Sequence, residues 1–88
     1  MTYDEAKRQS NLKKHGIDLA DCVAVFDAPM LTKEDDRCAY AEQRVKSLCW
    51  LKGRVVVLIW TDRHPVPHAI SCRYGDKNET ASYFKAIL

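Results

Sequence analysis

The chain has 88 residues, of which 47% are hydrophobic and 30% charged, with a formal net charge of +2. That length holds one core and not two, and the mixture of apolar and charged groups excludes a disordered, collagen-like or coiled-coil chain. The small positive charge suits a nucleic-acid partner and equally suits many enzymes, so it selects neither.

A core of this size leaves stability on the order of 5 kcal/mol. Burial of further apolar surface against a partner, and hence an oligomer, is therefore expected.

The chain opens with Thr2-x-x-Glu5 in capping-box spacing, with Asp4 as a second capping candidate. A first helix is predicted from here to a stop at Gly16, with Ala6 and Leu12 as its core candidates and a basic surface of Lys7, Arg8, Lys13, Lys14 and His15. Asp18 can cap a second helix whose apolar stripe is Leu19, Cys22, Val23 and Phe26, closed by Pro29. Met30 to Thr32 has the character of a short strand, and the charged stretch Lys33 to Arg37 reads as a loop. Arg44 to Leu51 and Arg54 to Thr61, joined by Lys52-Gly53, form a predicted hairpin. Because Val55 to Trp60 is apolar without alternation, its strand is placed centrally with both faces covered. After the turn Asp62-Arg63-His64-Pro65, a long strand runs from Val66 to Arg73, with Pro67 marking an edge position or a bulge. Asp76-x-x-Glu79 is again a capping box, opening a last helix with Ala81, Phe84, Ile87 and Leu88 as its apolar face.

Two helices, about four mainly antiparallel strands and a C-terminal helix give an α+β fold in a single domain spanning residues 1–88. The apolar run Val55 to Trp60 is far too short to cross a bilayer, so no membrane role is expected. Cys22, Cys38, Cys49 and Cys72 are too widely spaced for a CxxC metal site, and no apolar leader opens the chain. A reducing, cytoplasmic setting is expected, with the thiols serving as small buried hydrophobes.

Several ordered patterns resemble the BrnT toxins of bacterial type II toxin–antitoxin systems. These are Asp4-Glu5-Ala6-Lys7, Asn11-Leu12-Lys13-Lys14-His15-Gly16, Val25-Phe26-Asp27-Ala28-Pro29, Glu42-Gln43-Arg44, Trp60-Thr61-Asp62-Arg63 and Ile70-Ser71-Cys72-Arg73, followed by Glu79 and Tyr83. The resemblance implies a RelE-like ribonuclease fold and RNA cleavage that stops translation without a metal or other cofactor. It further implies neutralisation by a BrnA-like antitoxin, with toxin and antitoxin assembled into a complex that contacts operator DNA through the antitoxin.

Cleavage of RNA by its own 2′-hydroxyl requires removal of that proton, stabilisation of a crowded phosphate and protonation of the leaving 5′-oxygen. Arg73, at a strand end, is the expected phosphate clamp. Glu79 either orients Arg73, acts as a base or simply caps its helix; Tyr83, one turn on, either stacks a base, donates a proton or packs. Arg44, Arg63 and Lys7 are further candidate RNA contacts, with solvated surface positions as the plain alternative. His68 stands where the resemblance leads one to expect arginine, and an imidazole can exchange protons near neutrality where a guanidinium cannot. His64 reads as a solvated turn residue and His15 as a cation at a helix C-terminus.

Tyr74-Gly75 replaces a Lys-Ala pair typical of the resemblance, and the last helix lacks its dense arginines. Fewer cations weaken RNA binding, so a non-catalytic module that retains antitoxin binding is the alternative reading. A metal or redox protein, resting only on cysteines and histidines, is a third.

Overall fold

A computed structural model describes residues 1–35 and 43–87. Sequence expectations that involve Asp36, Arg37, Cys38, Glu42 and Leu88 lie outside the described residues.

The architecture is α+β, built on a five-stranded, mostly antiparallel sheet. In chain order the elements are β1 (Thr2–Tyr3), α1 (Glu5–His15), a 3₁₀ helix (Leu19–Asp27), β2 (Leu31–Asp35), β3 (Arg44–Leu51), β4 (Arg54–Arg63), β5 (Val66–Tyr74) and α2 (Lys77–Ile87). The strand order is β1-β5-β4-β3-β2, which puts the apolar β4 in the middle as its sequence predicts. At the β3–β4 turn, Lys52 and Gly53 both have positive φ, 48° and 81°, as a two-residue hairpin turn demands.

Several expectations need correction. Thr2 does not cap α1: it lies in a short strand that pairs parallel with β5, Thr2 opposite His68. The cap is Asp4, whose carboxylate accepts from the backbone N–H groups of Ala6 and Lys7. The sheet accordingly has one strand more than foreseen, because two residues are too few to show periodicity.

The second helix is a 3₁₀ helix, whose three-residue turn aligns Leu19, Cys22 and Val25 on the buried face. Val23, expected inside from a 3.6-residue period, is 52% exposed. The expected loop after Thr32 is in part strand, since β2 continues to Asp35 in register with Arg44.

In α1 the expected core residues Ala6 and Leu12 are exposed, and the buried residue is Asn11. Where β1 ends, the outer edge of β5 needs partners, and Asn11 supplies them. Its Oδ1 accepts from the Cys72 N–H at 3.0 Å, and its Nδ2 donates to the carbonyls of Cys72 at 2.9 Å and Ile17 at 2.8 Å. A side-chain amide thus replaces a missing strand and leaves no backbone group of Cys72 dry and unbonded.

Apolar side chains cover both sheet faces. On one, Ile17, Leu19, Cys22 and Val25 pack against Cys49, Leu51, Val56, Leu58, Ala69 and Cys72. Each fully buried Leu or Val contributes about 1.5–3 kcal/mol. At the margin Phe26 meets Trp60 edge to face at 5.3 Å, and the Trp60 indole N–H donates to the buried Ser47 hydroxyl at 2.9 Å.

On the other face α2 packs Tyr83 and Ile87 onto Leu48, Val55, Val57 and Ile59. The expected apolar face of this helix is also rotated: Ala81 and Phe84 are exposed, and Tyr83 is the buried position. Cys22, Cys49 and Cys72 are buried free thiols, in keeping with their expected packing role. No helix among the described residues is long and apolar enough to cross a membrane.

Candidate functional site

Alternation along the strands decides which side chains can meet. Residues directly opposite one another in a ladder share a face. The pairs Leu48–Val57–Arg73, Lys46–Ile59–Ser71 and Thr61–His68 form successive rows on the face that carries α2. Between the last two rows a register irregularity at Ile59/Trp60 adds one residue to β5 and keeps His68 on the same face as Arg73. Pro67 precedes the two residues that pair with β1, so its missing N–H falls at the start of that ladder.

The candidates form two groups on this face. The first is centred on Glu79, in the opening turn of α2. Arg73 reaches it with two parallel bonds, Nη1 to Oε1 at 2.8 Å and Nη2 to Oε2 at 2.9 Å. Lys46 Nζ approaches Oε2 at 3.3 Å. The capping box is complete, since the Glu79 N–H donates to the Asp76 carboxylate at 2.8 Å and the Asp76 N–H donates back to Glu79 at 2.9 Å. The Arg73 guanidinium holds the Glu79 carboxyl down at about 2, helped by the Asp76 N–H and Lys46 and opposed by partial burial. A carboxylate this acidic is a poor proton acceptor near neutrality. Its geometry suits it to fixing Arg73 and the start of α2.

Tyr83 follows one turn later but turns into the core. It is 5% exposed, lies nearly parallel to Trp50 with ring centroids 6.4 Å apart, and donates from its hydroxyl to the Pro29 carbonyl at 3.2 Å. Arg73 and Glu79 are therefore brought together as the sequence suggests, whereas Tyr83 packs beneath them.

The second group surrounds a cavity of about 170 Å³ at the β1–β5 side of the sheet. Its lining includes Arg44 from β3, Arg63 from β4, His68 from β5, and Asp4 and Lys7 from the start of α1. Four residues singled out separately in the sequence thus share one concavity. His68 Nδ1 lies 2.7 Å from the Thr2 hydroxyl. Beside it, the buried Thr61 donates to the Gln43 carbonyl at 2.7 Å, which fixes the chain just ahead of Arg44. His64 is exposed in the β4–β5 turn and His15 closes α1, both outside the cavity lining.

Sequence reasoning missed Lys46 and Thr2. Lys46 was recoverable, because it lies two residues after Arg44 in a strand and so on the same face. Thr2 carried no such signal.

Cys49 and Cys72 are not poised for chemistry. Burial pushes Cys49 up to about 12, and a hydrogen bond with Cys22, together with burial, keeps Cys72 protonated. Among the described residues no group of three or more His, Cys, Asp or Glu side chains is arranged to hold a metal.

Residues 3–79 match the family model described as ribonuclease toxin, BrnT, of type II toxin-antitoxin system. No curated protein matches the chain.

Proposed function

The chain belongs to the BrnT family of type II toxin–antitoxin ribonuclease toxins, and from that premise we propose that it is a metal-independent endoribonuclease whose reacting phosphate sits in the Lys7–Arg44–Arg63–His68 cavity. The observation that carries this reading is the convergence of three cations and one imidazole on a single concavity of about 170 Å³. Lys7, Arg44 and Arg63 supply the positive charge that a phosphorane-like transition state requires. Histidine is the side-chain type in that lining whose ordinary range of proton exchange includes neutral pH, which assigns the proton-transfer role to His68. As base it takes the proton of the 2′-hydroxyl; the 2′-oxygen attacks phosphorus, the bond to the 5′-oxygen breaks, and the 5′-oxygen takes a proton from solvent water, giving a 2′,3′-cyclic phosphate and a 5′-hydroxyl end. Arg73, four strand positions away across β4 at about 3.3 Å each, is suited to the phosphate of a nearby nucleotide, with Glu79 holding it in place.

The same reading gives a RelE-like fold in one domain, a cytoplasmic protein, inhibition of translation by RNA cleavage, and neutralisation by a BrnA-like antitoxin in a joint oligomer that meets operator DNA through the antitoxin. The test is cleavage of RNA by the purified chain in excess chelator. His68→Gln is expected to lower the rate at least about 100-fold with RNA binding within about threefold of the parent, the range typical of losing a proton-transfer group. Full activity in His68→Gln removes the site from this cavity.

A second reading has one observation in its favour: Arg73 is bound bidentately to Glu79 and Tyr83 is buried, so the C-terminal candidates are engaged in structure. On that reading the chain is a non-catalytic module that binds antitoxin tightly and leaves RNA intact.

A further inference from the structure

We propose that Thr2 is a positioning residue for His68: its hydroxyl oxygen accepts the proton on Nδ1 and so makes Nε2 the nitrogen that exchanges a proton with RNA. The inference rests on the ribonuclease reading above and adds to it a residue outside the cavity lining. Its basis is the 2.7 Å contact between Thr2 Oγ1 and His68 Nδ1 and the backbone pairing of the same two residues across the parallel β1–β5 ladder. The ladder fixes the two Cα positions, so the side-chain contact is built into the sheet and is not a chance meeting of surface groups.

Proton accounting selects the direction of the bond. A proton-exchanging histidine alternates between neutral and charged imidazole. With Nε2 as the exchanging atom, Nδ1 carries a proton in both forms, so its partner must accept in both. A threonine hydroxyl can do so, since its lone pairs are available whichever way its own hydrogen points. Were Thr2 to donate instead, Nδ1 would be the bare nitrogen of the neutral ring, and Nε2 would already hold its proton and could not act as base. Acceptance by Thr2 also fixes the plane of the ring, as the partner of the distal nitrogen does in other histidine sites.

The bond to the charged ring is the stronger of the two. Among the described residues, the charged groups that share the cavity are Asp4 and Lys7 from α1, Arg44 from β3 and Arg63 from β4. Three of these four are cations.

The test uses Thr2→Val, which keeps the branched shape favoured in a strand, and Thr2→Ser, which keeps the hydroxyl. Two readouts are needed, the ¹⁵N chemical shifts of the His68 ring and the pH profile of RNA cleavage. In the parent chain the neutral ring is expected with its proton on Nδ1. In Thr2→Val it redistributes toward Nε2–H, kcat falls about tenfold at unchanged KM, and the acid limb of kcat/KM moves down by about half a pH unit. Thr2→Ser restores all three. Unchanged ring shifts and an unchanged pH profile in folded Thr2→Val overturn the proposal. If the parent chain cuts no RNA, the ribonuclease reading falls and the catalytic role of Thr2 with it. The ring shifts then still decide whether Thr2 sets the tautomer.

Discussion

Replacement of Glu79 by glutamine tests whether the Arg73–Glu79 pair holds α2 to the sheet. The folded carboxyl lies at about 2 against an ordinary 4.5, which at about 1.4 kcal/mol per pH unit sets a ceiling of about 3 kcal/mol. The Arg73 side chain is 41% exposed, so water screens the pair and about 2 kcal/mol is the expected loss at pH 7. Glutamine keeps an oxygen that can accept from the Asp76 N–H and removes only the charge. A carboxyl depressed in the folded state stabilises it fully above its unfolded value, and that contribution fades as pH falls toward the folded value. The difference between parent and Glu79→Gln in urea unfolding should therefore be about 2 kcal/mol at pH 7, nearly the same at pH 6, and less than half by pH 3. Subtracting the variant from the parent removes the other titrating carboxylates, including Glu5 and Asp18, which are also depressed. A difference that stays constant from pH 7 to pH 3 would refute the electrostatic account and assign the effect to packing or helix capping.

Three further outcomes can be checked independently. Tyr83→Phe removes one hydrogen bond to Pro29 and little else, so a stability loss near 1 kcal/mol is expected with cleavage unchanged; turnover slowed by about 30-fold or more, the scale of a lost proton-transfer group, would return Tyr83 to the chemistry. Arg63→Ala and Arg44→Ala should each weaken binding of single-stranded RNA and reduce the slope of log K against log salt by about 0.7, the signature of one lost phosphate contact. An unchanged slope removes that arginine from the phosphate path. Asn11→Leu leaves the Cys72 N–H and two carbonyls without their side-chain partner inside the protein, so unfolding free energy should fall by about 2–3 kcal/mol; a loss under about 0.5 kcal/mol would show that water or a backbone shift replaces the amide.

The fold was legible wherever periodicity ran long enough. β3 to β5 and α2 were readable because apolar β-branched runs, the Lys52-Gly53 turn and the Asp76–Glu79 box all agree. The errors have specific physical causes. A 3₁₀ turn and an α-turn both accept Leu19 and Cys22, and only the choice between Val23 and Val25 separates them. Two residues of β1 give no alternation to read. Asn11 is polar and so looks like surface, yet an edge strand at the end of its ladder makes a buried amide favourable.

The members of the candidate site were named in the sequence residue by residue but not as an arrangement. Arg73 and Glu79 were joined through their closeness in sequence, which the structure matches. Lys7, Arg44, Arg63 and His68 come from four separate elements, and nothing in their spacing announces that they meet.

How the two groups relate follows from where α2 sits. The helix covers the rows of the sheet around Leu48, Val55 and Val57, and its first turn carries Glu79 at the boundary of that covered area. Lys46 and Arg73 both point charge toward this boundary, where they share one carboxylate. Lys7, Arg44, Arg63 and His68 line the other cavity together with Asp4. A phosphate that approaches the Arg73 end competes with Glu79 for the guanidinium. Removing the Glu79 charge would then have opposite effects on the two properties, lowering stability while tightening RNA binding at low salt.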